Sequence, residues 1–380
     1  MTALMVVVPD RLSALIDKGE VVERYYNPGG LFDEVHIVMT NDDRPDRSAV
    51  RPMVGDAELH LHNLPSPRFS RTAGWQRPLL RGWLAAGAGL ATEIQPALVR
   101  TYNNFLEGEL ARHIKATHGI PYVVSLHGVW TVDNDLTLTG RVFARFRRKL
   151  ERASLAAADA TIAVYSPIVP YARRFGARDV RLIYNAVAGG RLVPKSDYSL
   201  GAPPHLLSVN RQYPQKDPSN IVRALLEIPA TCTIVGDGPR HDAVRLLVDE
   251  LGLEDRVRLV RAMPNAELCR LLPTTDLMVG RCDYWGMPKS IIEGALAGMP
   301  MLVNHIPGLD LEEYHGDWIE LCDNTPEDYR RAIEGLLADE TRRRALGDRA
   351  RAVAHARFDP EAMEARVAEL YDEVMARGAR

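Results

Sequence analysis

Short apolar runs alternate with helical stretches twice along this 380-residue chain, and the second series restarts after a break rich in glycine, proline and serine. That double alternation constrains the fold more than any other feature. Strands separated by helix-length segments pair in parallel, because the chain must cross back before it can lie beside its previous strand. In the first series "LMVVVP", "EVHIVMT", "PALVRTYN", "PYVVSLHG", "ATIAVYS" and "VRLIYN" read as strands. "RPLLRGWLAAGAGLATEI", "EGELARHIKATHG" and "RFRRKLERASLAAAD" read as helices, while "LHLHNLP" follows neither period clearly. The break, "AVAGGRLVPKSDYSLGAPPH", has no period and reads as a linker. After it come the strands "LLSVN", "TCTIVGDG", "VRLVRAM", "DLMVGR", "PMLVNH" and "WIELC", with helices such as "PRHDAVRLLVDELG" between them.

The predicted architecture is α/β, with two Rossmann-like doubly wound domains facing a central cleft. The expected bounds are 1–190 for the first domain, 191–204 for the linker and 205–358 for the second. A last helix spans 359–380, starting after Asp359–Pro360. Ligands of such sheets bind outside the carboxyl ends of the strands.

Composition excludes several function classes. The chain is 46% hydrophobic and 26% charged, with a net charge of −3. This is ordinary for a globular protein and gives no basic footprint for nucleic acid or a membrane surface. The apolar run Ala3–Val8, closed by Pro9, is too short for a membrane span and lacks the flanks of a signal peptide. No integral membrane segment and a cytoplasmic location are therefore expected. Cys232, Cys269, Cys282 and Cys322 form no Cys-x-x-Cys pair, so free thiols are expected in place of a zinc or redox motif.

Chemistry concentrates in the second half. "GMPKSIIEGALAGMP", 286–300, is a short helix between stop signals: Pro288 suits its first position, and Gly298 and Pro300 end it. Ile291, Ile292, Ala295, Leu296 and Met299 give an apolar stripe. Lys289 and Glu293 sit near the helix start, where free N–H groups attract anions. "NRQYPQK" puts Arg211 and Lys216 in the loop after the first strand of this half. Arg grips phosphate through paired hydrogen bonds and Lys acts as a point charge. Together with the amides at Lys289, Ser290 and Ile291 they would cage a diphosphate. Solvated loop cations, and a Glu293 that only opposes the helix dipole, are the bland alternatives.

Four motifs in order make the second half resemble the donor domain of GT-B glycosyltransferases, specifically glycosyltransferase family 4. They are "NRQYPQK", "IVGDGPRHDAVRLLVDELGLEDRVRLV", "GMPKSIIEGALAGMP" and "FDPEAMEARVAELYDEVM". The likeness covers about 206–375 well. It is looser in the first half, at "NPGG", "GIPYVVSLHG" and "LIYNAV". The resemblance implies a GT-B fold whose last helix crosses back to the first domain. It also implies a retaining sugar transfer from a nucleoside-diphosphate donor, UDP or GDP, to an acceptor held by the first domain. Arg211 and Lys216 would stabilise the leaving diphosphate, and Glu293 would accept bonds from the ribose hydroxyls. His127 would point toward the donor sugar, and Gly29 and Gly30 would allow close backbone approach to phosphate or sugar. Gly238 would pack a helix start near its strand, with base or ribose contact a lesser option. Structural roles for His127, Gly29 and Gly30 stay open beside these.

Two departures from the family matter. Trp285 stands where the family often has a sugar-reading Glu, and an indole offers one N–H and a stacking face but no acceptor. Asn210 replaces the usual Gly before Arg211. Trp285 leads to the expectation of an unusual donor sugar, as in specialised-metabolite biosynthesis, and the first half's few basic clusters and lack of a basic amphipathic helix to that of a small soluble acceptor. The alternatives are a nucleotide-sugar 2-epimerase on the same fold or a non-catalytic sugar-binding protein. Asp133 and Asp135 form an Asp-x-Asp away from the phosphate motifs, so no metal is expected in the reaction. His241 occupies the third glycine position of a dinucleotide fingerprint, so no cofactor is expected beyond the co-substrate.

Overall fold

Both series of strands form parallel sheets of the same winding. The computed structural model describes residues 1–67, 77–128, 138–187, 189–283 and 286–378. The first sheet contains β1 (Ala3–Val8), β2 (Glu34–Met39), β3 (Glu58–Asn63), β4 (Leu98–Thr101), β5 (Tyr122–Leu126), β6 (Ala160–Ala163) and β7 (Val180–Leu182). Its order is β3-β2-β1-β4-β5-β6-β7. The second contains β8 (His205–Val209), β9 (Thr231–Val235), β10 (Val257–Val260), β11 (Leu277–Gly280), β12 (Met301–Asn304) and β13 (Glu320–Cys322), in the order β10-β9-β8-β11-β12-β13. Every strand pairing is parallel. Each order reverses once, between β1 and β4 and between β8 and β11, which is the doubly wound pattern and places the switch points where ligands bind.

Burial explains why these runs are strands. All six residues of β1 are buried, as are all residues of β4, β5, β6, β11 and β12. Strands covered by helices on both faces read as continuous apolar runs without alternation. "LHLHNLP" is β3, an edge strand whose Leu59 alone is fully buried, so its pattern is weaker.

The chain divides into two compact units. The first contains residues 1–17, 21–186 and 361–380; the second contains 18–20 and 187–360. The closing helix Pro360–Gly378 thus belongs with the N-terminal sheet. It buries Met363, Leu370, Tyr371 and Val374, which fall on one side at helical spacing. The second unit's core joins Leu206, Leu277 and Leu302 of the sheet to Val222, Val244 and Ile333 of its helices. The four cysteines are buried and none is in a disulfide. Among the described residues, no helix is long and apolar enough to cross a membrane.

Candidate active site

The second unit's switch point is built from two loops, one after β8 and one after β11. Asn210 follows β8; its N–H bonds to Val235 O at 3.0 Å and its side-chain amide to Arg281 O at 3.1 Å. Arg281 in turn donates to Asp217 O at 3.0 Å and pairs with Asp283 at 2.6 Å. Asp283 N–H reaches back to Gln215 O at 2.8 Å, and its carboxylate accepts from Asn304 at 2.6 Å. The loop that carries Arg211 and Lys216 is therefore tied to its neighbour at three points. Arg211 is exposed and Lys216 half-buried. Asp217 closes the loop as a buried carboxylate. Burial opposes its charge, but bonds from Ser219 and from Arg240, at 2.7 Å, hold it below the usual carboxylate range.

A third segment shapes this loop from behind. Gly236 and Gly238, after β9, have φ of 148° and 153°. A Cβ on Gly236 would lie 1.8 Å from Asn210 O, and one on Gly238 2.5 Å from Gln212 O. These glycines let two backbones touch. Gly238 is placed against the Arg211–Lys216 loop itself, and the adjoining helix His241–Glu250 follows it. Gln212 N–H bonds to Asp237 O, and Gln212 O accepts from Arg240 N–H. The side chain of Gln212 is fully buried in this contact.

The helix Lys289–Leu296 starts beside the same loop. Pro288 is its cap and not its first helical residue, because its ψ of 144° is extended. Ser290 Oγ donates to Val209 O at 3.0 Å, fastening the helix start to the end of β8. Ile291 N–H donates to Pro288 O at 3.0 Å, so this amide is spent in closing the first turn. Glu293 is buried, and its Oε1 accepts from Asn265 at 2.8 Å. Burial raises its carboxyl, while the Asn265 bond and Lys289 work the other way. Lys289 Nζ stands 3.7 Å from Glu20. Residues 18–20 therefore join this site from the far end of the sequence, with Asn265 N–H bonding to Lys18 O.

In the first unit, Gly29 and Gly30 lie in a turn fixed by Asn27, whose side chain bonds to Phe32 on both N–H and C=O. Gly29 N–H donates to Glu364 at 2.9 Å, and a Cβ there would come within 3.0 Å of Ala368. Its close approach is to the closing helix. A Cβ on Gly30 would meet open space. Arg24 holds the same Glu364 at 2.7 Å. His127 follows β5, its ring 5.5 Å from that of Tyr102 after β4. Beneath Tyr102 lies the buried Arg100, bonded to Ser125 and to the Tyr371 hydroxyl.

The structure thus gathers Asn210, Arg211, Lys216, Gly238, Lys289, Ser290, Ile291 and Glu293 in the second unit, and Gly29, Gly30 and His127 in the first. Trp285, Asp133 and Asp135 lie outside the described residues. Four neighbours escaped the sequence reading: Arg281, Asp283, Asn265 and Glu20. Only Arg281 and Asp283 had a local signal, their place directly after a strand of the second half.

Two family profiles match the chain: "Glycosyl transferases group 1" over residues 197–353 and "Glycosyl transferase 4-like domain" over 29–186. One curated relative, N-acetyl-alpha-D-glucosaminyl L-malate synthase of Bacillus anthracis, is 29% identical over 155 residues, which is 40% of each chain. The match spans 40% of that relative's length and 49% of the length of a GDP-mannose-dependent alpha-(1-6)-phosphatidylinositol monomannoside mannosyltransferase of Mycolicibacterium smegmatis. Sucrose-phosphate synthase from Thermosynechococcus elongatus shares the fold with a TM-score of 0.75 at 18% identity, covering 99% of this chain and 100% of that one. Anabaena Alr3699/HepE in complex with UDP and glucose does so with a TM-score of 0.71 at 15% identity, covering 98% and 100%. The matched profiles and the two doubly wound sheets give the same identification: the chain belongs to the GT-B glycosyltransferases and resembles glycosyltransferase family 4.

Proposed function

We propose that this protein transfers a sugar from a nucleoside-diphosphate sugar to a small acceptor, with retention of anomeric configuration. One observation carries the reading: the Arg211–Lys216 loop, the start of helix Lys289–Leu296 and the buried Glu293 converge on a single switch point. In the transfer, the bond from the anomeric carbon to the diphosphate breaks and a bond to an acceptor oxygen forms. Negative charge develops on the departing diphosphate, which takes up the proton that the acceptor loses. Arg211, Lys216 and the Lys289 and Ser290 amides meet that charge as preorganised donors, so stabilisation is electrostatic and no metal takes part. Glu293 accepts from the ribose hydroxyls. Asn210 and Gly238 set the loop's position, and His127, Gly29 and Gly30 keep the donor-side roles that the family resemblance implies for them. The reaction takes place in the cytoplasm.

Two related proteins support this reading of donor and acceptor. The Bacillus anthracis relative is named for joining a sugar to malate, a small soluble acceptor, and Alr3699/HepE was solved with UDP and glucose. Trp285 stands at the family's sugar-reading Glu position, which favours a donor sugar lacking the hydroxyl pair a carboxylate would bind.

The test is a thermal-shift panel of nucleoside diphosphates followed by donor turnover. A nucleotide at 100-fold its dissociation constant adds about 2.7 kcal/mol of stability. One diphosphate is expected to raise the melting temperature clearly above the others. No response to any of them, with no nucleotide release from a panel of common, deoxy and extended sugar donors, would overturn the reading. Conversion of the donor sugar without an acceptor would replace it with an epimerase.

A further inference from the structure

One face of the β2–β3 edge of the first sheet carries an unusual set of side chains. The parallel register places Glu34 beside Glu58 and His36 beside His60. Side chains alternate along a strand, so Glu34, His36, Glu58, His60 and His62 all project to the same face. The His36 ring stacks on His60 at 4.3 Å and on His62 at 5.3 Å. Its Nδ1 lies 3.0 Å from His62 Nε2 and its Nε2 lies 3.3 Å from Glu34 Oε2. His60 Nε2 is 3.4 Å from Glu58 Oε1 and makes no hydrogen bond among the described residues. One ligand atom each from Glu34, His36 and His60 falls within 4.8 Å of the others.

We propose that this face is a binding site for a first-row divalent transition metal, with Zn²⁺ the best match to its donor set. Glu34, His36 through Nε2, and His60 are the ligands, and Glu58 or a water completes a tetrahedron. Two imidazoles and a carboxylate suit zinc, nickel or copper, whereas magnesium and calcium prefer oxygen alone. Bonds of about 2.0–2.1 Å set neighbouring donor atoms about 3.3 Å apart, so side-chain rotations of about an ångström close the site. The metal binds His36 as the neutral tautomer that carries its single proton on Nδ1, so Nε2 offers the metal a lone pair and the ring loses no net proton. His36 then donates from Nδ1 to His62 Nε2, the outer bond that ligating histidines usually make. The ion would pin the edge strand β3 to β2. This site involves none of the residues placed in sugar transfer.

The experiment uses the full chain, stripped with chelator and desalted, then titrated with Zn²⁺ by calorimetry and with Co²⁺ by visible absorption. One saturable Zn²⁺ equivalent, a tetrahedral Co²⁺ band and a raised melting temperature are expected. His36→Ala should weaken Zn²⁺ binding at least tenfold. His60→Gln, on the part-exposed edge strand, should do the same with an unchanged circular dichroism spectrum, and it carries the test if His36→Ala does not fold. No saturable binding by the wild type, or wild-type affinity in His60→Gln, overturns the proposal.

Discussion

Both sheets reverse their order at one point, and each has an arginine there, but the two arginines are used in opposite ways. Arg100 lies in β4 and is buried. Its Nε bonds to Ser125 at 3.2 Å, it bonds to the Tyr371 hydroxyl, and its guanidinium sits 4.6 Å from the Tyr102 ring and 5.5 Å from the Tyr371 ring. Arg211, one residue beyond Asn210 in the other unit, is exposed on a loop whose backbone is clamped from three sides. Strand order decides where a ligand site can form, and it does so equally in both units. Side-chain satisfaction decides which unit keeps charge available. Arg100 is buried, with two of its nitrogens hydrogen-bonded and two tyrosine rings against its guanidinium, so the protein itself engages its charge. The second unit holds the backbone of its loop rigid and leaves the cation at the surface, which is the arrangement a preorganised anion site requires.

The largest expected effect tests that contrast directly. Arg211→Ala and Lys216→Ala should each lower turnover by about 10²–10³, the usual cost of removing one preorganised donor at a developing anion. Their melting temperatures should stay near the wild type. Arg100→Met should behave the other way, losing about 2 kcal/mol of stability through its broken buried network. Steady-state kinetics beside thermal melts would read both. Near-normal turnover in the two loop variants would remove the diphosphate assignment.

A smaller loss, about 10² in turnover, is expected from Gly236→Ala, measured by the same assay with a nucleotide-binding titration. The added Cβ meets the carbonyl oxygen of Asn210 at 1.8 Å, a backbone atom that cannot rotate away, so the loop carrying Arg211 must shift. Displacement of about 1 Å in a positioning element costs on this scale. Wild-type turnover would show that the loop's position does not matter to the reaction.

Much of this arrangement was legible in the sequence, for identifiable reasons. Strands buried on both faces announce themselves as apolar runs, so β1, β5 and β12 need no context. Arg211, Lys216 and Glu293 stand out as candidates because strand ends and helix starts have local signatures. β3 was not placed, because an edge strand with three polar side chains on one face carries half the usual apolar signal. Lys18, Glu20 and Asn265 were invisible for a different reason. Asn265 meets Glu293 across 28 residues of sequence and Glu20 meets Lys289 across far more, and neither contact leaves a periodic trace. The sequence counts the Ile291 amide among the free ones because whether Pro288 caps the helix or enters it depends on one ψ angle.

Glu293→Gln sharpens the comparison within the second unit. The amide keeps an oxygen for Asn265, so the fold should hold. The ribose is remote from the reacting carbon, and its contacts are alike in ground and transition states. Donor KM should rise about tenfold, the loss of one hydrogen bond to a charged acceptor, with turnover little changed. An unchanged KM in folded protein would confine Glu293 to its bond with Asn265.

The smallest expected effect is none, and it separates the two units most cleanly. Excess chelator should leave turnover unchanged, because Arg211, Lys216 and the Lys289–Ser290 helix start supply the positive charge that a divalent ion would otherwise bring to the diphosphate. The same treatment, applied to zinc-loaded protein, should lower the melting temperature by removing the ion from Glu34, His36 and His60, since a ligand that binds only the folded state stabilises it. Activity assays and melts on one chelated sample therefore give opposite answers if both assignments hold. Loss of turnover on chelation, restored by magnesium or manganese, would make the second unit's cage insufficient. Asp133 and Asp135 would then be the first ligands to replace, by paired substitution to Asn.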